Sequence, residues 1–204
     1  MNTLFLDIET LPAEPKLWAK VATDKELRYQ LKKKKPFNKE EAYKMTSLDG
    51  SYGQIFCIGY LKDPAMKSAD IIKGEEKKIL KDFWELAQDC SLFVGHNLMD
   101  FDLPFIYKRS IIHRIKPSLN LNFARYRSSP IFDTMKEWEK WNIMSRISMD
   151  ELAKVLGLPS SKTYMDGSQV YEYWQKGKAK EIYEYCKADV EVNKKIYDRM
   201  MFKE

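Results

Sequence analysis

The order of its segments constrains this chain more than any single motif does. Strand-like runs come first, at residues 3–9 and 54–61, with a weaker one at 69–73. From residue 75 onward, helical and strand-like patterns alternate. Residues 75–90 set Ile79, Leu80, Phe83, Trp84, Leu86 and Ala87 at helical spacing with charges between them. Residues 91–95 (SLFVG) follow as a buried strand, and Pro104 suits the first turn of the next helix, where its missing N–H is not needed. Residues 130–134 (PIFDT) form a short strand. Ser148 and Glu151 make a capping box for a helix that stops near Gly157, and a long helix from about Ala179 to Met201 closes the chain. Strands in a hairpin-like run, then alternating helices and strands, predict an α/β layered fold with a mixed sheet.

A long connection, residues 10–53, separates the first two strands. Its pieces LWAKVATDKELRYQLKKKK and NKEEAYKM predict two helices in place of a loose loop, with Asn38 and Glu41 placed as an N-cap pair in the second. At 204 residues, 44% of them hydrophobic, the chain suits one domain carrying this insertion and can bury a full core, which a disordered protein cannot. The 35 basic and 30 acidic residues leave a net charge of +5, compatible with a nucleic-acid partner but not diagnostic of one. Cys57, Cys90 and Cys186 have neither CxxC nor zinc spacing, so they read as reduced core thiols in a cytoplasm-like compartment. The N-terminus enters a strand without the regions of a signal peptide, and no run approaches the ~18 apolar residues of a membrane span. The expectation is a cytoplasmic protein with no membrane partner.

In the first strand, Leu4, Leu6 and Ile8 face one way, while Phe5, Asp7 and Glu9 face the other. Neighbouring like charges repel unless something positive lies between them. A strand that merely runs out into solvent at Glu9 would show the same alternation. Two further carboxylates stand out: Asp102 in HNLMDFD, just after the strand 91–95, and Asp189 in YCKAD. Tyr185 and Asp189 are four apart, so on a helix they share a face with Ile182 and Cys186, where a carboxylate is costly to bury without a partner. Strand ends at the carboxyl edge of a sheet are where α/β sites form.

FLDIET, HNLMDFD and YCKAD resemble, in this order, the three motifs of the DEDD 3′–5′ exonucleases. Tyr185 resembles the tyrosine (DEDDy) branch, since the histidine branch would need His where Glu184 stands. FDLPF, SMDELAKVLGL and the stretch from Met165 to Val190 are similar to the stand-alone exonucleases related to the proofreading domain of family-B DNA polymerases. The resemblance covers most of residues 1–9 and 54–201 and leaves the 10–53 insertion unmatched. Each motif alone is common by chance, but three in order and in context are specific.

The resemblance implies an RNase H-like domain over residues 1–204, with a mixed five-stranded sheet flanked by helices and a helical insertion between strands one and two. It implies a metal-dependent 3′–5′ exonuclease acting on single-stranded nucleic acid, DNA in preference to RNA, and releasing nucleoside monophosphates. Two divalent cations, Mg²⁺ or Mn²⁺, prefer oxygen ligands and would lie among Asp7, Glu9, Asp102 and Asp189. By the same resemblance Asp7 would bridge both ions, Glu9 and Asp189 would complete the nucleophile-side ion, and Asp102 would support the other. Tyr185 would orient the attacking water, because a phenol with a pKa near ~10 is a poor base at neutral pH. Replication or repair proteins that it meets are left unidentified.

Other residues have plainer readings. Asp100 rivals Asp102 and either could cap a helix, but the spacing from Asn97 and the following Leu103–Pro104 favour Asp102. Asp133 reads more readily as the cap of the next helix than as a metal ligand. His96 and His113 are the only histidines and build no His/Cys cluster, although His96 and Asn97 are placed to support the site by hydrogen bonds. Asn97, Lys32, Lys33, Lys34 and Lys35 are candidate nucleic-acid contacts, while a solvated helix end suits the lysines equally. Tyr164, Tyr171, Tyr173 and Trp174 could stack on bases, but their helical spacing favours core packing. Rival functions are an RNA-trimming exonuclease and a non-catalytic nucleic-acid-binding module. The second would be expected to lack a carboxylate, and all four are present.

Overall fold

The computed structural model describes residues 2–20, 38–160 and 165–203. Strands β1 (Asn2–Leu11), β2 (Gln54–Asp63), β3 (Asp70–Lys73), β4 (Cys90–Gly95) and β5 (Ile131–Asp133) form one five-stranded sheet in the order β3-β2-β1-β4-β5. The pairs β1–β2 and β2–β3 are antiparallel, while β1–β4 and β4–β5 are parallel, so the sheet is mixed as expected. The helices among the described residues are α1 (15–20), α2 (Lys39–Lys44), α3 (Glu76–Ala87), α4 (Asp102–His113), α5 (Thr134–Trp138), α6 (Met149–Val155), α7 (Val170–Gln175) and α8 (Ala179–Met200). None of them is long and apolar enough to cross a membrane.

Several boundaries differ from the expected ones, each for a local reason. Cys90 begins β4 and does not end the preceding helix, because it pairs with Asn2 at the start of the β1–β4 ladder. Thr134 opens α5, since the Asp133 side chain accepts from the Met135 and Lys136 N–H groups and turns the chain into a helix. β1 continues past Glu9 to Leu11 across a bulge between Glu9 and Thr10, taking two residues from the insertion. The Ser148 cap of α6 is as expected, its hydroxyl accepting from Glu151 N–H.

The described part of the insertion contains α1, α2 and a 3₁₀ turn (Met45–Leu48). Asn38 caps α2 by accepting from the Glu40 and Glu41 N–H groups. The Lys32–Lys35 run and Tyr164 lie outside the described residues. An aromatic row fastens the insertion to α7: Trp18 meets Tyr43 at 5.7 Å, Tyr43 meets Tyr171 at 6.0 Å, and Tyr171 stacks on Trp174 at 5.8 Å. Tyr171 and Tyr173 pack against the core at Leu11 and Ile182, whereas Trp174 is 44% exposed, its partner being the half-buried Tyr171 and not the core.

The alternation of β1 sets what each face meets. Leu4, Leu6 and Ile8 join Phe83, Trp84 and Ile106 of α3 and α4. Phe5 joins Val190 and Tyr197 of α8 on the other face, its ring 5.4 Å from Tyr197. Burying each such side chain contributes about 1.5–3 kcal/mol. The α8 face is therefore the one onto which Asp7 and Glu9 are turned. Gly59 lets that helix come close: a Cβ there would stand 2.9 Å from Cys186 Sγ and 3.0 Å from the Cys186 carbonyl oxygen. All three cysteines are buried free thiols.

Candidate active site

The pairing of β1 with β4 ends at Phe5 and Val94, while its pairing with β2 runs on. Beyond Phe5, the β4-side edge of β1 therefore needs another acceptor for its backbone donors. Asp102, the first residue of α4, fills that place: its Oδ1 accepts from the Ile8 N–H at 3.0 Å. Asp102 is 3% exposed, and burial, the largest influence on it, pushes its carboxyl up to about 7 against the opposing pull of that N–H. Asp100 turns outward and accepts from Lys136 Nζ at 2.5 Å. The two rivals in HNLMDFD thus part to opposite sides of one turn.

From the other side, α8 brings Tyr185, Cys186 and Asp189 over β1. The Cys186 thiol lies 3.6 Å from both the Asp7 carbonyl and Asp7 Oδ2. One ligand atom from each of Asp7, Glu9 and Cys186 lies within 4.8 Å of the others, a grouping that could hold a cation. Asp189 is buried, and its charge is among those that hold the Tyr185 hydroxyl protonated. Asp7, Glu9, Asp102, Tyr185 and Asp189 are thereby brought together at the carboxyl end of β1.

The electrostatics follow from that crowding. Asp7 is pushed well above the usual carboxylate range, first by loss of water and then by the charges of Asp189 and Asp102. Glu9 is raised in the same way, by burial and then by Asp7. Tyr185 is held protonated by burial and by Asp189, Glu9 and Asp7. Burial and the neighbouring Cys57 raise Cys186, so it stays a thiol and leaves oxygen atoms as the anionic donors. Such a cluster requires either protons or cations, and an oxygen donor set fits a hard divalent cation.

A layer behind the carboxylates fixes their turn. Asp133, a cap as expected, also accepts from Asn97 N–H and Met99 N–H, both at 3.0 Å. Asn97 holds a left-handed φ of 62°, and its side-chain oxygen is buried with no hydrogen-bond partner among the described residues. His96 Nδ1 is 3.0 Å from Thr134 Oγ1 and Nε2 is 3.0 Å from the Ile147 carbonyl, while burial pushes the ring down to about 4. The Thr134 hydroxyl donates to Asn193 Oδ1 at 2.9 Å, tying α5 to α8. His113 lies elsewhere, 2.7 Å from Glu76, in an ion cluster with Arg109.

Three contributors escape a reading of the sequence. Gly59 carries no local signal. Cys186 follows Tyr185 directly, but its contact with Asp7 spans 179 residues. Asn193 sits on the apolar face of α8, and its polarity was the one available sign of a partner across the core.

A family model for a predicted 3′–5′ exonuclease related to the exonuclease domain of PolB matches residues 55–203. The DNA polymerase of Archaeoglobus fulgidus is 25% identical over 134 residues, 58% of this chain and 17% of that protein. The family B DNA polymerase of the hyperthermophilic archaeon Pyrobaculum calidifontis has a similar structure, with a TM-score of 0.68 at 15% identity over 98% of this chain and 24% of that one. The chain spans a quarter or less of the length of these polymerases. The fold is RNase H-like, as the motifs implied.

Proposed function

The chain belongs to the family of predicted 3′–5′ exonucleases related to the exonuclease domain of PolB, and on that premise we propose that it removes nucleotides from the 3′ end of a single strand. The observation that carries the proposal is the convergence of Asp7, Glu9, Asp102 and Asp189 with Tyr185 at one end of β1. These four carboxylates would hold two divalent cations, Mg²⁺ or Mn²⁺. Bound there, the cations would supply an acidified water and a counter-charge for the departing oxygen.

The residues of the chain have separable tasks. The Ile8 N–H fixes the Asp102 carboxyl against β1. The Tyr185 hydroxyl, held protonated by burial and by Asp189, orients the attacking water and does not take its proton. The Cys186 thiol braces Asp7 Oδ2 without becoming a ligand. DNA is favoured over RNA because the proteins that the chain is similar to are DNA polymerases.

A 5′-labelled single-stranded DNA and its RNA counterpart, incubated with wild type or Asp7→Ala in Mg²⁺, Mn²⁺ or EDTA, test the proposal. The expected result is a ladder shortening from the 3′ end, faster on DNA, that requires both metal and Asp7. No shortening of either strand by the wild type, or shortening indifferent to EDTA, would overturn it.

A further inference from the structure

A second hollow opens from the same edge of the sheet as the carboxylates. β1, β4 and β5 run parallel, so their carboxyl ends share one edge. The turn after β4 supplies Met99, Asp100 and Pro104 to one wall, and the segment after β5 supplies Lys136 and Trp141 to another. Phe123, Arg125, Tyr126 and Ile143 complete the lining of a cavity of about 290 Å³, near the lower end of small-ligand sites. The turn that lines it carries Asp102 on its inner side, against Ile8.

The lining is largely apolar and aromatic; Lys136 is paired with Asp100, and Arg125 adds a further positive charge. Tyr126 is 72% exposed, with its ring 5.3 Å from that of Trp141. Both residues hold a left-handed φ of 63°. Bulky residues rarely keep that conformation, and it persists only where the surroundings impose it. Residues 114–146 contain seven Lys and Arg against three Asp and Glu, so this stretch carries +4 of the net +5 of the chain. The exposed Tyr126 ring, backed by the half-buried Trp141 and beside unevenly distributed positive charge, matches the alternating bases and phosphates of a single strand.

We propose that this hollow receives a base of the substrate strand upstream of the nucleotide being removed, with Tyr126 and Trp141 as stacking rings and Arg125 on the adjoining phosphate. The inference rests on the nuclease reading of the carboxylate site and extends it to how the strand is held. It places the upstream strand across the β4–β5 side of the sheet, over the turn that presents Asp102.

The test measures binding of fluorescently labelled thymidylate dimers and hexamers, by anisotropy in EDTA, to wild type, Tyr126→Ala and Arg125→Gln, with thermal unfolding as the check on folding. The wild type should prefer the hexamer. Tyr126→Ala should lose about tenfold of hexamer affinity, the scale of one lost base–aromatic stack, Arg125→Gln should lose more than about twofold, and both should narrow the hexamer-to-dimer ratio. Arg125→Gln should also reduce the slope of log affinity against log salt by about 0.7, one phosphate contact on a single strand. Hexamer affinities within twofold of wild type in both variants would overturn the proposal and leave the hollow to a protein partner. Because EDTA removes the cleavage reaction, this failure is distinct from failure of the nuclease reading, which shows as absent metal-dependent cleavage while the binding differences persist.

Discussion

Asp7 and Gly59 stand opposite each other across the β1–β2 ladder, and the absent side chain at Gly59 is what lets α8 approach Asp7. A Cβ at position 59 would stand 3.0 Å from Val190 Cγ2 as well as crowding Cys186. Gly59→Ala should therefore lift α8 from the sheet. The expected cost is about 1–3 kcal/mol, typical of overpacking, together with weakened cation binding because Asp189 and Tyr185 move with the helix. Urea unfolding and a Mn²⁺ titration check this. An unchanged Mn²⁺ affinity would show that the cluster does not depend on the close approach.

The carboxylates make stability depend on pH and on metal. Asp102 titrates at about 7 in the fold, and Asp7 and Glu9 are also raised well above their ordinary values. A raised acid stabilises the fold below its unfolded pKa of ~4, and that contribution is lost as pH rises through the folded value. The metal-free protein should therefore lose stability as pH climbs to about 7 and beyond, and Mg²⁺ should raise the melting temperature more at pH 8 than at pH 6. Asp7→Asn should raise the metal-free melting temperature and shrink the increment. Equal increments at both pH values, or in the variant, would contradict the cluster as the binding site.

His96 acts with the opposite sign. Its ring titrates at about 4 in the fold against an ordinary value of 6.5. Its neutral form contributes stability that is fully present above ~6.5 and lost as pH falls toward 4, on the order of 3 kcal/mol at ~1.36 per unit. His96→Gln should show a shallower loss of stability than wild type between pH 6.5 and 4 in urea unfolding. The wild-type minus variant difference isolates the histidine from the carboxylates, and parallel curves would remove it as an acid-sensitive residue.

Away from the site, Glu76 joins α3 to α4 and β2. It accepts from Arg109 Nε at 2.8 Å and Nη2 at 2.7 Å, and from the Ile55 N–H at 2.7 Å. The Arg109 and Glu76 side chains are 7% and 10% exposed. Arg109→Met leaves a buried carboxylate short of its cation and should cost about 3–5 kcal/mol by urea unfolding. A loss below about 1 kcal/mol would mean that the pair behaves as a solvated surface bridge.

How much of this was legible depended on distance along the chain. The alternation of β1, the four-residue step from Tyr185 to Asp189 and the caps at Ser148 and Asp133 are local periodicities, and the structure shows each of them. The turn that separates Asp102 from Asp100 was legible because Pro104 marks the start of α4. The brace of Cys186 on Asp7, and the tie from Thr134 to Asn193 across 59 residues, depend on how α8 crosses the sheet. No local pattern encodes a contact of that kind. Most of the first helix expected in the insertion lies outside the described residues; among those described, the insertion meets α7 through scattered aromatic rings, which no local periodicity encodes.

The most direct test of the carboxylate site uses a single-stranded DNA labelled on its 3′-terminal nucleotide, with wild type, Tyr185→Phe and Asp189→Asn in Mg²⁺. The expected first labelled product is a mononucleotide, formed at least about a hundredfold more slowly by Asp189→Asn, the scale of losing one preorganised charged group. Tyr185→Phe should fall between the two, since it loses the orienting hydroxyl but keeps every carboxylate. A labelled oligonucleotide as the first product, or a rate in Asp189→Asn close to that of wild type, would contradict the assignment.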